Sequence, residues 1–140
     1  MSRENVEIAR RAYAAMGVAY NTGDLLPVIE EFCDAEIVFN NEAIVSGYPE
    51  KGEWHGHEGL LQFGAGQTEA FQQMWIEPQE FVDAGDSVVI PLRLGGKARH
   101  TGIEIGFSVV HAVTFRDGKA VRIDVYAERT EALKAVGLTE

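Results

Sequence analysis

The sequence predicts an α+β fold in which N-terminal helices pack into a strongly curved antiparallel sheet around a cavity. Two observations predict it. Apolar residues recur at three- and four-residue steps early in the chain. From about Trp75 onward they recur at every second residue. Helical segments therefore precede strands, as in an α+β arrangement. At 140 residues the chain is read as one domain, 1–140, large enough to bury a core and still enclose a pocket.

Val6, Ala9, Tyr13, Met16 and Tyr20 share one face of a first helix, with Arg3, Glu7, Arg10 and Arg11 elsewhere. "NTGD" ends it, Gly23 suiting a left-handed position past the last turn. Asp24 is placed to cap a second helix over Leu25–Phe32, with Pro27 in its first turn, where a missing N–H matters little. "AEIVFN" reads as a strand. It is followed by a long irregular stretch, "NEAIVSGYPEKGEWHGHEG", of the kind that is often functional in a compact domain.

A third helix is expected from about Glu58 to Met74, with Leu60, Phe63, Gln67, Phe71 and Met74 at helical spacing. Gly59, Gly64 and Gly66 fall inside it, either to kink it or to let a neighbour approach. Strands follow at about Trp75–Val82, Ser87–Leu94, Thr101–Arg116 and Lys119–Ala127, with turns at "DAGD" and "RDGK". A last short helix starts near Thr130 and stops at Gly137.

The net charge is −10 with scattered Lys and Arg, which argues against nucleic-acid binding and against docking on anionic lipid. Cys33, the one cysteine, cannot form an internal disulfide and reads as a small core residue. No secretory signal or membrane span is apparent, so a cytoplasmic protein is expected.

The most informative stretch is "GFSVVHAVTFRDGKAVRIDVY". Phe107, Val109, Val113 and Phe115 form an apolar row, and His111 stands in it. A two-residue Asp117-Gly118 loop would place His111 opposite Asp124. A three-residue loop, Arg116-Asp117-Gly118, would place it opposite Ile123. A one-residue slip exchanges the two faces of a strand. The row on the last strand is Val121, Ile123, Val125 and Ala127. Only the longer loop puts both rows on one face, so His111 is expected to point inward and away from Asp124. Arg122, Asp124 and Tyr126 then lie on a half-apolar outer face. Either a homodimer packs there or the C-terminal segment covers it, and the dimer is the expected assembly.

The order of elements, with "YNTGDLLPVIEEFCDAEIVF", "WHGHEGL", "EFVDAGDSVVI" and "VTFRDGKAVRIDVY…EALKAVGL", resembles the SnoaL-like, polyketide cyclase-like branch of the nuclear transport factor 2-like superfamily over nearly the whole chain. That resemblance implies a cone-shaped barrel with an internal pocket, as in ketosteroid isomerase and limonene epoxide hydrolase. It also implies several absences. The isomerases' oxyanion tyrosine falls at Met16, and their proton-abstracting aspartate at Asn40, whose amide is no general base. Their second aspartate falls at His111. The epoxide hydrolases' aspartate falls at Val125.

The candidate catalytic residues are therefore His111 and Asn40. The candidate pocket wall is Tyr13, Met16, Tyr20, Phe39, Trp54, Phe63, Phe71, Trp75, Arg93, Val109, Ile123 and Val125. Arg93 is read as a carboxylate clamp or as a strand end at the surface. His55 and His57 lack a third ligand, so no metal is expected, nor any other cofactor. Two functions are compatible with these residues. One is a cofactor-free cyclase, isomerase or hydrolase acting on a polyketide-, steroid- or terpenoid-like compound, with His111 as acid/base and Asn40 or Tyr20 orienting the substrate. The other is a non-catalytic binder of a lipophilic small molecule.

Overall fold

The computed structural model describes residues 2–43 and 52–138. The middle of the long irregular stretch, 44–51, lies outside the described residues. The elements are α1 (Ser2–Thr22), α2 (Leu26–Phe32), β1 (Cys33–Asn40), β2 (Glu53–His55), α3 (Gly56–Ala70), β3 (Phe71–Pro78), β4 (Val82–Ala84), β5 (Ser87–Ala98), β6 (Glu104–Arg116), β7 (Lys119–Tyr126) and α4 (Arg129–Ala135). The strands form one sheet in the order β2-β1-β7-β6-β5-β3, with β4 also on β5. The first three helices lie against its concave, apolar face. The sheet is open and not wholly antiparallel as expected, because β1 runs parallel to β7. β1 thus lies between its neighbour in sequence, β2, with which it pairs antiparallel, and the last strand, β7.

Gly23 ends α1 at φ 82°, its N–H bonded to the Ala19 carbonyl. Asp24 does not cap α2. Leu25 occupies the N-cap without a side-chain bond and is itself buried, so packing places the start of that helix. Leu25 lies against Gly64, where a Cβ would collide with Leu25 Cδ1. α3 is continuous there, so this glycine serves close approach rather than a kink.

α3 ends at Ala70, earlier than the apolar spacing suggests. Phe71 and Met74, three apart and both buried, belong to β3. A bulge between Gln72 and Trp75, with Gln73 at φ 51°, turns both inward and so imitates helical spacing. Asn21 holds the bulge: its amide accepts from the Met74 N–H at 2.8 Å and donates to the Met74 carbonyl at 2.6 Å.

The β6–β7 hairpin corrects the expected loop. Arg116 pairs with Lys119, so the loop is the two-residue one, with Asp117 at φ 53° and Gly118 at φ 78°. Phe115 then pairs with Ala120 but Thr114 with Arg122, leaving Val121 as an extra residue. Val121 leaves the inner row for an outer cleft beside Glu4 and Asn5. Beyond this bulge His111 faces Val125, and Ala112 faces Asp124. The inward orientation of His111 therefore holds through a bulge rather than a longer loop.

On the outer face, Ala132 and Leu133 of α4 cover Val89 and Val110, with Tyr126 packed alongside. The C-terminal segment thus shields part of the half-apolar surface. Gly137 closes α4 at φ 85°, with the Leu138 N–H bonded to the Leu133 carbonyl. No helix among the described residues is long and apolar enough to cross a membrane.

Gly95 and Gly106 face each other on β5 and β6, and the Trp75 indole lies on them. A Cβ on Gly95 would run into the Ile105 carbonyl and stand 2.6 Å from Trp75 Cζ2. Gly95→Ala is expected to destabilise by about 1–3 kcal/mol in urea denaturation. Gly17→Ala, in α1 with open space around it, is expected to stabilise by about 0.5–1 kcal/mol.

Candidate functional site

A cavity of about 110 Å³ lies between the helices and the concave face of the sheet. One stripe of α1 (Ala9, Tyr13, Met16 and Tyr20) forms one wall. The opposite wall comes from alternate positions of the strands: Phe39 on β1, Ile123 on β7, His111 and Val113 on β6, Leu92 and Leu94 on β5. Among the described residues no Asp or Glu lines it.

His111 is 8% exposed and stands in the centre of β6. Its Nδ1 is 2.7 Å from the Tyr13 hydroxyl, which reaches across from α1. Its Nε2 is buried without a hydrogen-bond partner. The Phe39 ring stands edge-on at 6.3 Å. Burial alone pushes the imidazole from 6.5 down to about 4, so it is neutral near pH 7. When the Tyr13 O–H donates to Nδ1, Nε2 carries the proton and can donate. In the other tautomer Nδ1 donates to the phenol oxygen and Nε2 can accept. Both forms leave one nitrogen unserved.

The same dryness acts on the other titratable wall groups. Burial raises Tyr20 to about 12, and raises Cys33 to about 11 against a weaker opposing pull from Lys119. Both are neutral donors at pH 7, and Cys33 is therefore an unreactive thiol.

The structure brings His111, Tyr13, Met16, Tyr20, Phe39, Phe63 and Ile123 together around the cavity. Trp75 borders it, but its indole turns to the other face of the sheet, over Gly95 and beside Arg93. Trp54 stands behind that wall, its ring 4.8 Å from Phe63 and 6.0 Å from Phe39. Val109, Val125 and Phe71 are buried core outside the wall. Two candidates are displaced. Asn40 alternates with the inward Phe39, so it lies on the outer face, where it donates to Glu53 at 2.9 Å. Arg93 alternates with the inward Leu92 and Leu94. It is exposed, with its guanidinium 5.8 Å from the Trp75 ring. Neither can touch a molecule in the cavity.

His55 reaches Glu53, and His57 Nε2 lies 3.0 Å from the Cys33 carbonyl, to which it donates. Among the described residues no three His, Cys, Asp or Glu converge as metal ligands. The sequence reading missed Gln67, Leu92, Leu94 and Cys33 in the wall. Gln67 carried a readable signal, a polar residue in the apolar row of a helix.

Residues 9–123 match the model of the SnoaL-like domain. Several solved structures share the fold. An NTF2-like protein of unknown function from Burkholderia pseudomallei is 22% identical, with 96% of this chain and 98% of that one covered and a TM-score of 0.73. TerC, co-crystallised with polyporic acid, is 23% identical, with 95% and 98% covered and a TM-score of 0.72. A candidate SnoaL-like polyketide cyclase from Jannaschia sp. CCS1 is 19% identical, with 99% and 94% covered and a TM-score of 0.73. No curated protein matches the chain.

The depressed His111 value has a stability consequence of definite sign. Below pH 6.5 the unfolded chain takes up a proton that the folded chain refuses until about pH 4. Stability is therefore lost as pH falls through that window, by about 3 kcal/mol in total from this group. His111→Gln should flatten that part of the urea-midpoint profile relative to the parent. Parallel profiles would mean that His111 is not held neutral.

Proposed function

Because the chain belongs to the SnoaL-like domain family, matching its model over residues 9–123, we propose that it binds a compact, largely apolar carbonyl or phenolic compound in this cavity. The observation that carries the reading is the buried Tyr13–His111 pair with Nε2 left unpartnered. An unsatisfied buried nitrogen costs about 1–3 kcal/mol, and a ligand oxygen would restore the missing bond after a small shift of its neighbours. A fold relative crystallised with polyporic acid supports a pocket of this kind for small organic molecules.

The wall also favours one chemistry over another. Forming the imidazolium here is about 3 kcal/mol harder than in water, and no carboxylate of the described residues lines the cavity. Two neutral hydrogen-bonding groups suit holding and polarising an oxygen better than taking a proton from carbon. The cavity, about 110 Å³, lies below the roughly 300–1,000 Å³ usual for drug-sized ligands. A ligand of more than two fused rings would require the helices to move outward. The favoured function is thus binding of a small ring compound. The assembly we propose is a homodimer, joined where α4 leaves the outer face open around Arg122 and Asp124.

Titration with 2-naphthol, followed by its fluorescence, tests the pocket. His111→Ala should stay folded and lose affinity by about 1–3 kcal/mol, and Tyr13→Phe should lose less. A stability loss of about 2–5 kcal/mol with undiminished binding would identify His111 as ordinary core instead. Asp124→Lys combined with Tyr126→Arg should sediment as a monomer. An unchanged dimer would place the interface elsewhere.

A further inference from the structure

The cavity has a second polar pole. Gln67 sits on the buried face of α3, at the position after Leu60, Phe63 and Gly64 where helical periodicity calls for another apolar side chain. It is 3% exposed, it lines the cavity, and its amide makes no hydrogen bond to a described residue. Its polar atoms are not sealed in the core as His111 Nε2 is, so they open onto the cavity, where a molecule from outside the chain can meet them. Tyr20 also lines the cavity, and its hydroxyl is held protonated by burial and makes no hydrogen bond to a described residue.

Both groups stand at the β3 end. The Gln67 carbonyl accepts from the Phe71 N–H at the start of that strand, and Asn21, next to Tyr20, grips Met74. Tyr13, which marks the His111 pole, precedes Tyr20 by seven residues on one face of α1, about 10 Å of helix rise. Between the poles the wall is carbon: Met16, Phe39, Leu92, Val113 and Ile123.

We infer that the ligand is two-ended, a flat apolar ring system bearing an oxygen at each end, and that Gln67 with Tyr20 selects the second oxygen. Gln67 offers both a donor and an acceptor and Tyr20 a donor, so a hydroxyl or a carbonyl is accepted there, while the dry wall disfavours a charged group. The inference rests on reading the cavity as a ligand site and adds the ligand's second functional group.

Two probes of one ring system separate the claims: 2-naphthol, with one hydroxyl, and 2,6-dihydroxynaphthalene, with two. The parent protein should bind the diol more tightly. Gln67→Leu should weaken the diol about tenfold, leave 2-naphthol unchanged or tighter, and so abolish the preference. Tyr20→Phe, which removes one oxygen without disturbing packing, should reduce the preference in the same direction. A parent without preference, or a preference that survives both substitutions, overturns the second pole while leaving the His111 site standing. Loss of the first reading shows differently, as 2-naphthol affinity indifferent to His111→Ala. Failure of the parent to bind either probe overturns both.

Discussion

A sheet with one buried face must keep its inward rows in phase from strand to strand, and everything in this protein's interior follows from how β6 and β7 meet that condition. A tight two-residue turn alone would set the rows out of step. The extra residue at Val121 restores the phase a few positions later. It does so before the pairing reaches His111, so the imidazole points inward with Ile123 and Val125 on the adjacent strand. β1 then inherits the phase through its parallel pairing, Phe39 beside Ile123. Without the bulge, Asp124 would replace Val125 opposite the imidazole and the cavity would hold a carboxylate.

Desolvation is the common agent at the site. The same apolar lining drives His111, Tyr20 and Cys33 each to its uncharged form, although they titrate in very different ranges. The described lining of the cavity thus carries no charge, although the protein's net charge is −10. Recognition there depends on shape and on a few hydrogen bonds, not on ion pairing.

Much of this was legible in the residues. The α1 stripe, the stop at Gly23 and the inward row of β6 all follow from periodicity and turn chemistry, because those elements contain no irregularity. The bulges were not legible. Phe71 and Met74 counterfeit a helical step because the strand carries one residue too many between them. The loop at Asp117 looked one residue longer for the complementary reason, since parity reveals that an extra residue exists but not where it sits. Asn40 and Arg93 were misplaced although the alternation that placed His111 would have excluded them. Phe39, Leu92 and Leu94 already claim the inward positions on either side. Gln67 was passed over in a row whose apolar neighbours made it conspicuous.

The groups that define the cavity come from opposite ends of the chain. Tyr13 and His111 are 98 positions apart, and Asn5, on the same helix, bonds to the Gly85 carbonyl 80 positions away. β1 also waits for β7 to complete its parallel pairing. Contacts of such long sequence separation close large loops before they return any stabilisation, which slows folding. During synthesis, α1 therefore emerges with its apolar stripe exposed and stays so until nearly the whole sheet has been made. The pocket is among the last features to exist, so a ligand can bind, and stabilise, only a chain that has already completed its fold.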